Sequence, residues 1–442
     1  MSSARNRELV ALVPVALLLS AGFAAVFAQE NARLGNLSLV YGAYFLAVCL
    51  ATHLYLRLRL PDADPYLFPL VALLTAFGLV MIYRIDADLA RDQANWFVLG
   101  LVLFALTIEF LREYDVLERY RYTIAAAGLL LLLAPRLPGI GQQVNGAYLG
   151  VKVGPFAFQP AEFAKICLVV FLASYLREHR EVLIVGARRV LGVTLPPIKH
   201  LGPLLVVWGA SMFMLVFIRD LGSSLMFFAA FLALLYVATG RFSFVVIGMA
   251  LFLVGAWFFA STVPHVHDRV EIWLNPYNDP AGTGYQILQS IFAQADGGLF
   301  GKGFGQALIT IPGTDAALLP AAQTDTIYSL IVNEVGLFGA CAVVLIYLLI
   351  AARGFKVALL ADDGFSKLLA TGLTAVFAIQ AFVIIGGVTR VIPLTGVTLP
   401  FISYGGSSIV ANFVLLALLL LISDRARREA VAPRGALALE GV

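Results

Sequence analysis

Residues 221–260 read LGSSLMFFAAFLALLYVATGRFSFVVIGMALFLVGAWFFA, with Arg241 as the sole charged side chain in the stretch. A helix needs about 20 mostly apolar residues to cross a bilayer. Two such runs stand here back to back, separated by Gly240-Arg241. A soluble helix would show polar residues along one face. The stretch therefore reads as two consecutive spanning helices, 221–239 and 243–260. The whole chain agrees with this reading. It has 442 residues, 61% hydrophobic and 13% charged, with mean hydropathy +0.91. A soluble domain carries about a quarter charged residues. In lipid the backbone must satisfy itself, and closed helices are the simplest way to do so.

Working outward from 221–260 adds ten further spans: 9–29, 38–56, 67–84, 95–111, 122–134, 161–177, 201–218, 326–351, 368–388 and 406–423. The expected fold is an all-α polytopic membrane protein of about twelve transmembrane helices. Arg5 and Arg7 precede the first apolar run, as in a signal peptide, but that run is too long for an ordinary signal core. Placing the N-terminus in the cytoplasm puts 20 of the 30 Lys and Arg residues on the cytoplasmic side and nine outside, with Lys165 inside a span. The positive-inside rule then predicts that both termini are cytoplasmic. The loops 135–160, 261–325 and 389–405 face outward, and 178–200 is a basic cytoplasmic stretch. No internal repeat is evident, which weighs against an inverted-repeat transporter.

Some function classes recede at once. A net charge of +3 gives no case for nucleic acid. Cys49, Cys167 and Cys341 lie far apart in apolar runs and read as buried, inert thiols. The pair in His265-x-His267-Asp268 is too little to assign a zinc site, and no metal-ligating residues are assigned.

The candidate chemistry lies mostly in the outward loops. In Asn275-Pro276-Tyr277-Asn278-Asp279-Pro280, Asp279 either caps the helix that follows or stands as a general base at the membrane surface. Gly282 and Gly284 would let the backbone approach a bulky substrate. Residues 297–305 hold five glycines, a backbone that turns tightly or approaches something closely, without P-loop spacing. Lys302 within it and Arg269 are the cations of this loop; each is a phosphate partner or a headgroup anchor. Glu162 and Lys165 share one helix face at i, i+3. An ionisable pair entering the bilayer is either functional or a structural lock between helices. Arg219 of Arg219-Asp220-Leu221-Gly222 either ends a helix or points into an outward cavity. Gly396–Ser408 is Pro-interrupted and rich in small residues, so it packs on something or lines something.

Taken together these blocks resemble the SEDS family of bacterial membrane proteins, the RodA/FtsW/SpoVE group. The matching stretches are Val144-Asn145-Gly146-Ala147, Gln159-Pro160-Ala161-Glu162-Phe163-Ala164-Lys165, Asp220-Leu221-Gly222-Ser223-Ser224 and Asp279-Pro280 with Gly282, Gly284, Tyr285 and Gln286. Gly297-Gly298, Gly301-Lys302-Gly303, Thr324-Asp325 and Leu399-Pro400-Phe401-Ile402-Ser403-Tyr404-Gly405-Gly406 follow in family order. The chain departs from the pattern at Tyr148-Leu149, at Ile218-Arg219 and at Gln323-Thr324-Asp325-Thr326-Ile327.

The resemblance implies a ten-helix core at 67–423, two extra helices within 1–66, and a cytoplasmic tail at 424–442. It implies a peptidoglycan glycosyltransferase that polymerises lipid II at the outer face of the bacterial cytoplasmic membrane and releases undecaprenyl pyrophosphate. It also implies a class B penicillin-binding protein as partner. The family's essential carboxylate falls on Asp279, and its Glu and Lys fall on Glu162 and Lys165. Arg219, Arg269, Lys302 and Arg390 are candidate partners for the pyrophosphate, and a substrate-bound Mg²⁺ or Mn²⁺ would share its charge. The rival readings are a lipid II flippase and a non-catalytic scaffold that activates the penicillin-binding protein.

Overall fold

A computed structural model describes residues 3–29, 36–144, 147–154, 156–185, 188–190, 193–195, 209, 220–311, 313 and 316–431. Eight helices among them are long and apolar enough to cross a membrane: Ala4–Val26, Leu67–Ile85, Ala87–Phe110, Gly222–Thr239, Phe242–Thr262, Ile327–Leu360, Gly364–Val388 and Gly406–Ala430. The first is broken into α1 (Ser3–Ala11) and α2 (Val13–Gln29). Pro14 has no N–H to donate and unsettles the turn there. The spans expected at 38–56, 122–134 and 161–177 are also helical, as α3 (Asn36–Arg59), α6 (Arg121–Leu133) and α7 (Pro160–Val185). They fall outside the eight: α6 is short, and α7 carries Glu162, Lys165 and Arg177. The span expected at 201–218 lies outside the described residues.

The remaining long helices are α4 (Leu67–Ile85), α5 (Ala87–Phe110), α8 (Leu221–Thr239), α9 (Phe242–Thr262), α12 (Ile327–Leu360), α13 (Gly364–Val388) and α14 (Gly406–Val431). Helix α13 packs against α7, α8, α12 and α14, and α14 packs against α5. Helices α4, α13 and α14 are buried through most of their spans, whereas α9 is almost wholly exposed and presents Val246, Leu253, Trp257 and Phe258. Caps mark the boundaries. Asp86 accepts from the Asp88 and Leu89 amides to start α5, and Gly240, at φ 67°, ends α8 in the left-handed region.

Two segments between the long helices carry short strands. Segment 135–160 carries a three-stranded antiparallel sheet, β1 (Gly141–Val144), β2 (Ala147–Val153) and β3 (Phe156–Phe158). The basic stretch 178–200 extends α7 to Val185 and then carries a short antiparallel pair, Arg188–Val190 with Val193–Leu195. All three cysteines are free, but Cys341 is exposed on α12 rather than buried. A thiol on a lipid-facing helix needs no burial inside the protein.

Helix α1 and the last turns of α14 meet the turn before α4, where charges knit them together. Asp64, fully buried, accepts from Arg353 and from Arg427, each at 2.5 Å. Its neighbour Asp62 donates its amide to Asp424, and Arg5 of α1 bonds Glu8 and the carbonyl of Ala63. A buried carboxylate serving two guanidiniums is a keystone, because its loss strands two cations. Asp64→Ala should cost about 3–5 kcal/mol, read as a large fall in the thermal unfolding midpoint in detergent. An unchanged midpoint would show that the cluster contributes nothing.

Candidate functional site

The 261–325 segment is built from helix α10 (Pro264–Leu274), a 3-10 turn at Pro276–Asn278 and helix α11 (Tyr285–Gly297). It is bound tightly to the bundle. Arg390, in the left-handed region at φ 60°, donates to the carbonyls of Trp273 (2.8 Å) and Leu274 (3.1 Å). Those are the open C-terminal carbonyls of α10. Trp273 returns the contact by donating its indole N–H to the Arg390 carbonyl at 3.0 Å. Arg269 donates to the Leu394 carbonyl at 2.5 Å. The Tyr404 amide donates to Gln323 O at 2.8 Å, and the Ser403 hydroxyl to Thr324 O at 2.8 Å. Segment 389–405 therefore packs against the loop, as its small, Pro-interrupted sequence suggested.

Asp279 sits at the exposed apex of this assembly. Its carboxylate accepts from the Gly282 amide (3.0 Å), the Thr283 amide (2.7 Å) and the Thr283 hydroxyl (3.1 Å). A carboxylate offers about four acceptor sites, so these three donors orient it and leave capacity for a fourth partner. The Thr283 amide and hydroxyl, with help from Gly282, hold its pKa below the usual carboxylate value. The cap of α11 is Gly284, not Asp279. The glycines serve the turn itself. A Cβ on Gly282 would overlap the Asp279 carboxylate, and one on Gly284 would overlap the Pro276 carbonyl.

The glycine-rich stretch is explained by a break in a helix. Helix α12 is interrupted at Gly336, at φ 70° and ψ −176°. Residues 298–303 lie across that break and use the backbone groups it frees. Lys302 N donates to Asn333 O (2.8 Å), Gly303 N to Glu334 O (2.9 Å), and Leu337 N to Gly298 O (3.0 Å). A Cβ on Gly301 or Gly336 would strike the facing backbone. Beneath the break Glu334 is buried and pairs with Arg84 at 2.9 Å; Arg84 also donates to Gly305 O at 3.1 Å. The Lys302 ammonium points outward, half-exposed, and pairs with Asp296 at 2.8 Å.

A second group of charges lies under α10. Asp220 is buried, caps α8 through the Ser223 amide at 3.0 Å, and feels the Arg269 charge. Asp325 also feels Arg269, but burial dominates and pushes its carboxyl up to about 6. The Arg269 charge thus acts on two acidic groups. Arg219 lies outside the described residues.

Glu162 and Lys165 are far inside the bundle. Lys165 is fully buried, and its ammonium reaches Glu162 (2.5 Å), Gln380 (2.6 Å) and Asn412 (3.3 Å). An ammonium has three donors, and all three are used. Gln380 donates onward to Thr398 O at 3.0 Å. The cluster ties α7, α13 and α14 to the segment before α14.

Of the residues singled out from the sequence, Asp279 and Lys302 are exposed in the loop, whereas Arg269 and Arg390 are bonded to backbone carbonyls that join the loop to segment 389–405. It did not single out Arg84, Gln380 or Asn412. Gln380 and Asn412 were visible as polar residues inside apolar spans, which is itself a signal. Arg84 at a span end looked like an ordinary interfacial anchor.

Comparison with known proteins fits this architecture. The family model FTSW_RODA_SPOVE, described as cell cycle protein, matches residues 65–428. The peptidoglycan glycosyltransferase RodA of Mycobacterium tuberculosis (strain ATCC 25618 / H37Rv) is 42% identical over 435 residues, 96% of this chain and 91% of that protein. Stage V sporulation protein E of Bacillus subtilis (strain 168) is 32% identical over 375 residues, 82% of this chain and 98% of that one. Among solved structures, a chain of a peptidoglycan synthase complex that coordinates polymerization and crosslinking superposes with TM-score 0.64 at 27% identity. That match covers 84% of this chain and 99% of the other. A crystal structure of Thermus thermophilus rod shape determining protein RodA gives TM-score 0.58 at 25% identity, covering 84% and 98%. With the family model spanning most of the chain and the ordered blocks now seen in one fold, this multi-pass membrane protein belongs to the SEDS family, the RodA/FtsW/SpoVE group.

Proposed function

We infer that the chain is a peptidoglycan glycosyltransferase of the RodA/FtsW type, which polymerises glycan strands at the bacterial cytoplasmic membrane. The substrate is lipid II and Asp279 is the general base. The observation that carries this assignment is an exposed carboxylate, held by three donors in a turn built for it, on a loop docked rigidly to the bundle. The acceptor's sugar hydroxyl attacks the donor's anomeric carbon, its proton passes to Asp279, and the bond to the lipid pyrophosphate breaks. Orientation lowers the barrier because the carboxylate need not be ordered during the reaction.

Positive charge must meet the departing pyrophosphate. Lys302 is the best placed of the described candidates, since its ammonium is half-exposed and held by one exposed carboxylate. Such a surface pair is weak and exchanges readily. Arg269 and Arg390 act by fixing α10, through the Leu394 carbonyl and the α10 carbonyls, and so position Asp279. Glu162 and Lys165 hold the helices that support it. Arg219 is retained as a phosphate partner. Among the described residues no group of three or more His, Cys, Asp or Glu is arranged to hold a metal ion. A Mg²⁺ or Mn²⁺ would therefore arrive on the pyrophosphate and neutralise part of its charge.

The orientation is part of the same reading: twelve helices, both termini cytoplasmic, and the Asp279 loop outside. The Lys/Arg asymmetry supports it. Residues 1–66 form an added helix pair, 67–423 the catalytic core and 424–442 the tail. The partner is a class B penicillin-binding protein; the related synthase complex, which joins polymerization with crosslinking, supports that choice.

In a gel assay of lipid II polymerisation, Asp279→Asn should lose about 10²–10⁴-fold in rate while its unfolding midpoint stays normal. Full activity in a folded variant would remove Asp279 as base. Lys302→Ala should weaken lipid II binding about tenfold; unchanged affinity and turnover would remove its phosphate role. The base must be unprotonated, so activity is lost as pH falls through its pKa. The acid limb of kcat/KM should lie below that of an ordinary aspartate and move upward in Thr283→Val, which deletes one of the donors that lower it. A limb near the raised value of Asp325 would instead name that carboxyl as the titrating group.

A further inference from the structure

We propose that the cavity between the N-terminal helix pair and the core binds one zwitterionic phospholipid, its acyl chain inside and its headgroup on Arg91 and Asp88. The cavity measures about 310 Å³. Phe23 of α2 and Leu79 and Tyr83 of α4 form two walls. The third wall is α5, where Ala87, Ala90 and Ala94 fall on one face at i, i+3 and i+7. Three small side chains in that row leave open a groove that larger residues would close.

The place and the chemistry select the occupant. The cavity lies where α4 and α5 meet at Asp86, at the end of two apolar spans. It is on the same side as the Asp279 loop, because neighbouring Arg84 bonds Gly305 and Ala307 of that loop. Its lining is mostly apolar, and Arg91, Asn95 and the half-exposed ring of Tyr44 are its exposed polar members. Apolar walls with a polar, aromatic rim at membrane-interface depth suit a lipid. Arg91 and Asp88 stand 3.3 Å apart, 66% and 87% exposed. So open a pair is weakly held and offers one cation and one anion to solvent. That is the complement of a phosphate joined to an ammonium. The Arg91 guanidinium suits the phosphate, and the Asp88 carboxylate suits the amine.

The site is separate from the transferase reaction. Phe23 and Tyr44 precede the family match, which begins at residue 65. The solved relatives align with 84% of this chain while covering 99% of their own. The M. tuberculosis RodA, aligned over 96% of this chain, extends into the helix pair. A bound lipid would glue that pair to the core by filling the space between them.

Native mass spectrometry of the full-length protein in detergent, with phosphatidylethanolamine added, tests this. Wild type should retain one lipid. Ala94→Leu, which fills the groove, and Arg91→Gln, which keeps the exposed surface and removes the cation, should each lower retention about tenfold. Leu106→Ala, exposed further along α5, should leave it unchanged. Arg91→Gln guards against misfolding, since its side chain lies outside the core. Wild-type retention in both variants would overturn the site. Equal retention of phosphatidylglycerol by wild type would overturn the zwitterionic headgroup.

Discussion

A fully buried lysine decides how this bundle closes. Removing an ammonium from water costs several kcal/mol, and lipid offers it no partner. Lys165 resolves this by taking Glu162 from its own helix, Gln380 from α13 and Asn412 from α14, so every donor is matched. Each partner stands on an element that must be in place for the others to be satisfied. Gln380 passes the constraint on to the Thr398 carbonyl in the segment before α14. That segment in turn holds the 261–325 loop through Ser403 and Tyr404. A charge deep in the bundle thus fixes the platform on which the Asp279 loop rests.

The loop adds a second constraint of the same kind. Breaking α12 at Gly336 frees backbone groups that must find partners. The glycine-rich run supplies them, and its lack of side chains lets the two backbones touch. Arg84 and Glu334 close the underside with a buried ion pair. Asp279 then gains a fixed orientation without burial, because its donors come from its own turn. Rigidity below and exposure above leave the carboxylate preorganised and open to solvent.

Much of the charge that looked free for substrate is committed to structure. Arg390 caps a helix, Arg269 bonds the Leu394 carbonyl, and Lys165 has no spare donor. Residue type and loop position drew attention to the arginines, and helix spacing to Lys165. None of these can reveal whether a cation is already partnered, because the partners lie more than a hundred residues away for Arg390 and more than two hundred for Gln380 and Lys165.

The sequence by itself determined the membrane character, most of the helices and the family. Those depend on local composition, periodicity and short ordered motifs, which are written along the chain. Helix α6 was legible, but not that the segment after it pairs as a small sheet, since strand pairing in a Gly-rich stretch leaves a weak local signal. Tertiary structure alone decided that five glycines serve a broken helix rather than a ligand. It likewise decided that Lys165 is saturated and that two added helices leave a cavity against the core. Each of these depends on what approaches from a distant segment, and approach distances are set by the packing of whole helices.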